Sequence, residues 1–118
     1  MEVGDKLYRF KFDFDTGETF TDVFVITDVS QNGKMLKATP DESNPDTTLH
    51  SGITFSVNHF NEVKTSRHYK FVLLDHDDQA EALKLVHEFV SKQLKAAMDR
   101  VMQLESWKRQ CSEWEAAM

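Results

Sequence analysis

Residues 78–118 read DQAEALKLVHEFVSKQLKAAMDRVMQLESWKRQCSEWEAAM. No Gly or Pro interrupts this stretch, and its apolar residues recur at helical spacing. One row with seven-residue spacing runs through Leu83, Val90, Ala97, Leu104 and Cys111. A second row contains Leu94 and Val101, with His87 and Lys108 at its other positions. At 1.5 Å per residue, one helix over this stretch would be roughly 60 Å long. The residues before it should form a body less than half that length. The distal part of such a helix therefore needs a further surface to cover it.

The two halves of the helix carry different surfaces. Ala80, Ala82, Leu83, Leu85, Val86, Phe89, Val90 and Leu94 form a wide arc, which suits packing on a sheet. Beyond Lys95 the apolar set narrows to Ala97, Met98, Val101, Met102 and Leu104, which suits helix pairing. Trp107 and Trp114 stand seven residues apart on one face, among charged and polar neighbours. Tryptophan is enriched among interface anchors. Leu94, Val101, Met102, Leu104, Trp107 and Trp114 are accordingly the expected association residues. The competing arrangement folds both indoles back onto the chain's own strands. Asp78 offers an N-cap with Glu81 three residues on, the spacing of a capping box. Asp75, Asp77 and Asp78 suit the positive end of the helix dipole.

Working back towards the N-terminus, the chain reads as short strands. In 6–14 the aromatics Tyr8, Phe10, Phe12 and Phe14 alternate with Arg9, Lys11 and Asp13. Alternation puts the two sets on opposite faces. Apolar residues of both parities in 19–29 point to a central strand covered on both sides. Asn32-Gly33 is a type I′ hairpin signal leading to a return strand over 34–39. Residues 40–51, PDESNPDTTLHS, read as an exposed loop whose Asp41, Glu42 and Asp46 are available to a partner. Ile53, Phe55 and Val57 give a fourth strand, 59–66 is ambiguous with a single helical turn possible, and YKFVLL at 69–74 gives a fifth. The expected class is α+β: a small curled antiparallel sheet, or an SH3-like barrel, of about five strands followed by one long helix. Val3-Gly4-Asp5 ahead of an aromatic strand is similar to the start of many SH3-like small barrels. The expected division is an acidic β-domain, 1–76, and a helical arm, 77–118, in one folding unit.

The 118 residues carry a net charge of −6. Residues 1–79 hold 14 acids and 8 bases and residues 80–118 six of each, together the chain's 20 acids and 14 bases. The excess therefore lies on the β part. An acidic surface repels phosphate backbones and suits a basic partner. The single cysteine, Cys111, excludes an intrachain disulfide. No apolar run reaches the ~20 residues of a membrane span, and residues 1–10 do not form a signal peptide. A cytoplasmic protein without membrane contact is expected.

Catalytic and metal patterns find little support. The four glycines are widely separated, so no phosphate-cradling loop exists, and no G-x-S-x-G elbow occurs. His50, His59, His68 and His76 lack the short ligand spacing of zinc sites, and His87-Glu88 lacks the second histidine of a zinc-protease motif at Ser91. Cys111 lies on the helix seam, where a thiol is packed rather than reactive. No enzyme activity, metal or cofactor is expected. A half-buried His87 would make helix packing sensitive to acid.

The function expected from these features is a non-enzymatic interaction module, an adaptor or regulator, that forms a homodimer through its helix. An alternative is a nucleic-acid mimic that blocks a basic groove. It needs Asp13, Asp15, Glu18, Asp22, Asp28, Asp41, Glu42 and Asp46 to form one stripe. In size and charge the chain is similar to the small acidic inhibitors carried by phages. A second alternative, a small barrel that binds nucleic acid, would use Arg9 and Lys11 with neighbouring aromatics.

Overall fold

The computed structural model describes residues 1–41, 52–67 and 69–118. Six strands precede one helix: β1 (Lys6–Asp13), β2 (Thr19–Val29), β3 (Met35–Pro40), β4 (Ile53–Ser56), β5 (Val63–Ser66), β6 (Tyr69–Leu74) and α1 (Gln79–Ala117). All strand pairs are antiparallel, in the order β4-β3-β2-β1-β6-β5. The sheet curls into a half-barrel, so the fold is α+β as the sequence implies. Its end strands, β4 and β5, are not paired with each other, which leaves the barrel open.

The additional strand arises in the ambiguous stretch. Val57–His59 forms a single 3₁₀ turn, whose Asn58 N–H donates to Ser56 Oγ at 3.3 Å. Asn61, at φ 61°, then reverses the chain, and β5 pairs with β6. The turn at Asn32-Gly33 also differs from the expected type I′. Gly33 has φ 71° but Asn32 does not take a positive φ. The Asn32 side chain instead accepts hydrogen bonds from Ser30 Oγ at 2.7 Å and Lys34 N–H at 3.0 Å. These bonds hold a longer connection closed by Ser30 N–H on Met35 O.

Two apolar cores form on opposite faces of the sheet. One contains Leu7, Phe24, Ile26, Leu36, Ala38, Phe55 and Leu73. The other contains Phe10, Phe12, Val72 and Leu74 beneath Ala82 and Val86 of α1. The alternation in β1 explains the division, since Leu7 enters one core and Phe10 and Phe12 the other. Phe14 falls beyond the strand and is exposed. Each large side chain buried in these cores contributes about 1.5–3 kcal/mol.

Asp78 caps α1 as its position implies, with Glu81 N–H donating to Asp78 Oδ1 at 3.0 Å. Only half of the capping box forms, because the Glu81 carboxylate turns to His76 instead. The arc that covers the sheet is narrower than the sequence implies. Ala82 and Val86 are buried and Leu85 packs beside them, whereas Leu83 and Leu94 are exposed. The chain forms two compact units, Met1–Val86 and His87–Met118. Every residue from 91 to 118 is exposed.

Candidate functional site

The second unit is wholly helical up to Ala117. Relative exposure is 61% at Leu94, 52% at Val101, 46% at Leu104, 50% at Trp107 and 62% at Trp114. At about 100° of turn per residue these side chains spread over an arc of about 160° centred on Leu104, with Leu94 and Val101 to one side of it and Trp107 and Trp114 to the other. The row within it runs through Val90, Leu94, Ala97, Val101, Leu104, Trp107, Cys111, Trp114 and Met118. Successive steps are of three or four residues, with two threes meeting at Leu104. The row steps past Lys108, which the regular seven-residue pattern includes, although Lys108 and Arg100 each lie only about 40° from Leu104, within the same arc. A change of step of this kind is visible in sequence once the row is followed residue by residue. Met102, another expected association residue, lies roughly 160° around the helix from Leu104 and is not brought into the arc. Arg100 lies over the Trp107 ring at 4.9 Å, and donates to Gln103 Oε1 at 2.6 Å. His87 is exposed, which removes the basis for an acid-sensitive packing role there.

Of the acidic loop residues, Asp41 forms an ion pair with Lys6 at 3.2 Å, and its N–H donates to Val23 O at 2.8 Å. Glu42 and Asp46 lie outside the described residues, as do His50 and His68.

The sheet carries a charged cluster that alternation within one strand does not reveal. Arg9 faces Asp22 across the β1–β2 ladder. Arg9 Nη2 and Nε donate to Asp22 Oδ2 at 2.8 and 3.1 Å, and Lys11 Nζ reaches the same oxygen at 3.0 Å. Asp22 is fully buried, while the side chains of Arg9 and Lys11 retain 15% and 17% of their exposure. Asp22 Oδ1 has no partner among the described residues. Aromatics do share this face: Phe24 under Arg9 at 5.3 Å, and Phe20 and Tyr69 beside Lys11 at 5.7 and 5.9 Å. They come from β2 and β6, not from the alternate positions of β1.

A third cluster lies where β6 passes into α1. His76 Nδ1 is 2.7 Å from Asp75 Oδ1, and His76 Nε2 is 2.6 Å from Glu81 Oε2. The hydrogen bond to Asp75, and then that to Glu81, raises the His76 pKa above its ordinary 6.5. The bond from His76 lowers the Asp75 carboxyl below its ordinary 3.8. The His76 contribution to stability is fully present below pH 6.5 and is lost as pH rises through the raised value. That of Asp75 is present above 3.8 and is lost as pH falls through the lowered value. The clasp is therefore complete between these two ordinary values. In an NMR titration, Asp75→Asn should bring the His76 midpoint down towards 6.5, and Glu81→Gln should do so to a smaller extent. A midpoint unmoved by Asp75→Asn would contradict the assigned cause.

His76, Asp78 and Glu81 offer ligand atoms within 4.8 Å of one another, a convergence that the sequence reading missed because it spans a turn and a helix start. These three could hold a divalent cation, but a protonated imidazole opposes coordination. No helix among the described residues is long and apolar enough to cross a membrane. Comparison with protein-family models, curated proteins and solved structures finds no match to this chain.

Proposed function

We propose that this protein is a non-enzymatic interaction module, an adaptor or regulator, that self-associates through the distal part of α1. One observation carries this reading. An exposed helical segment presents Leu94, Val101, Leu104, Trp107 and Trp114 within one broad arc centred on Leu104, interrupted by Arg100 and Lys108. Apolar side chains in such a row gain free energy only when something covers them. The balanced charge of residues 80–118, six acids and six bases, suits a partner of the same composition.

The two other readings have less support. A nucleic-acid mimic needs a continuous carboxylate stripe, yet Asp22 is buried under Arg9 and Lys11, and Asp41 is paired with Lys6. A nucleic-acid binder could use Lys11 with Phe20 and Tyr69, but Asp22 already neutralises one of the two cations there. Light scattering on the full chain should give twice the 13.7 kDa chain mass. A value of 13.7 kDa at micromolar concentration would overturn the self-association reading. The same sample should pass through heparin at low salt, and tight retention would favour the nucleic-acid reading.

A further inference from the structure

We propose that His76, Asp78 and Glu81 form a binding site for one divalent transition-metal cation, with Zn²⁺ as the probe. The site lies wholly within Met1–Val86 and does not depend on self-association.

Three positions deliver the ligand atoms: His76 from the turn after β6, Asp78 from the cap of α1 and Glu81 from its first turn. One ring nitrogen and one oxygen of each carboxylate lie within 4.8 Å of one another. His76 Nε2 and Glu81 Oε2 are already in contact at 2.6 Å. An ion about 2.1 Å from each ligand atom sets such atoms roughly 3 Å apart. The side chains of His76 and Glu81 are 49% and 43% exposed, so they have room to open to that spacing. Asp78 Oδ1 keeps its bond from the Glu81 N–H, which leaves Oδ2 to reach the ion.

The imidazole separates this site from a patch of carboxylates. Asp75 Oδ1 accepts from His76 Nδ1 at 2.7 Å, so Nδ1 carries a proton and Nε2 faces Glu81. A carboxylate on the far ring nitrogen is the outer partner that orients a metal-bound histidine and raises its basicity. Without a metal, contact of both ring nitrogens with carboxylates requires a second proton, held between Nε2 and Glu81. A divalent cation takes the place of that proton, which passes to solvent. The contact with Asp75 is kept and Asp78 joins.

An open cavity of about 640 Å³ adjoins His76. Asp5, Asp75 and Asp77 border it, against Met1 and a Lys6 that already pairs with Asp41. A hydrated cation thus has an approach lined by carboxylates and room for the waters that complete its coordination. The ligand set selects the kind of ion. Mg²⁺ and Ca²⁺ favour oxygen ligands, whereas imidazole suits zinc and its neighbours.

Calorimetric titration with Zn²⁺ tests the site on the full-length Cys111→Ser chain, which removes the thiol as a ligand, at a pH above the His76 midpoint. One equivalent should bind, and about a tenfold excess of Mg²⁺ should not displace it. In NMR spectra of the same sample the His76 Nε2 resonance should move on zinc addition while Nδ1 stays protonated, a readout that needs no change at the site. His76→Ala and Glu81→Gln should each abolish this binding. Asp75→Asn should weaken it about 10- to 100-fold at the same stoichiometry. Absence of saturation by about 1 mM Zn²⁺, ready displacement by Mg²⁺, or zinc binding that survives His76→Ala would overturn the assignment. So would a His76 resonance that zinc leaves in place.

Discussion

Asp22→Ala should lower the unfolding free energy by about 3 kcal/mol, the lower end of the range for removing one partner of a buried ion pair. Asp22 is fully buried, and one of its oxygens holds Arg9 at 2.8 Å and Lys11 at 3.0 Å. Without the carboxylate, two cations face each other across a sheet surface lined by Phe20 and Phe24. The residual exposure of Arg9 and Lys11, 15% and 17%, keeps the estimate from the upper end of the range. With a urea m-value of about 1.5 kcal/mol/M, the midpoint should fall by about 2 M. A second substitution gives the internal control. Lys11→Met in the Asp22→Ala background removes one of the stranded charges and should restore part of the loss. A loss below about 1 kcal/mol, or a double variant less stable than the single one, would mean that water reaches this cluster and screens it.

The same cluster shows where sequence reading stops. Period-two alternation places Arg9 and Lys11 opposite Phe10 and Phe12, and the two cores confirm that division. Alternation says nothing about which residue of the next strand stands beside Arg9. That depends on register, fixed here by the connection from Asp13 to Glu18 and by the pairing of Arg9 with Asp22. An aspartate in an otherwise apolar and aromatic strand then looks like surface, although it is the most buried charge among the described residues. The long helix was legible for the opposite reason. Its cap, its lack of breakers and its apolar rows are local properties, and Asp78 caps it as expected. The stretch 59–66 was not, because its strand is bounded by positive φ at Asn61 and at Arg67, and nothing local in the sequence marks an arginine for that conformation. The convergence of His76, Asp78 and Glu81 likewise needs the angle between β6 and α1, which no spacing in the chain encodes.

Leu104→Glu should convert the dimer to a monomer. In a homodimer formed through this face Leu104 of both copies is covered, so one substitution removes two apolar contacts and places two carboxylates in the interface. Burial of a leucine side chain is worth about 1.5–3 kcal/mol, so the two copies together lose roughly 3–6 kcal/mol. The dissociation constant should rise by about two to four orders of magnitude, before like-charge repulsion is added. Met102→Glu provides the matched comparison. It stands two residues away, is more exposed at 66% against 46%, and lies on the far side of the helix. It adds the same charge to the same segment, so it should leave the mass at twice that of the chain. The thermal unfolding of Met1–Val86 should be unchanged by either variant once dissociation is allowed for, since both positions lie outside that unit. Two monomers would place the apolar face elsewhere on the helix, and two dimers would show that the arc around Leu104 does not hold the copies together. Only the divergence of the two variants, one dissociated and one not, is what an arc centred on Leu104 requires.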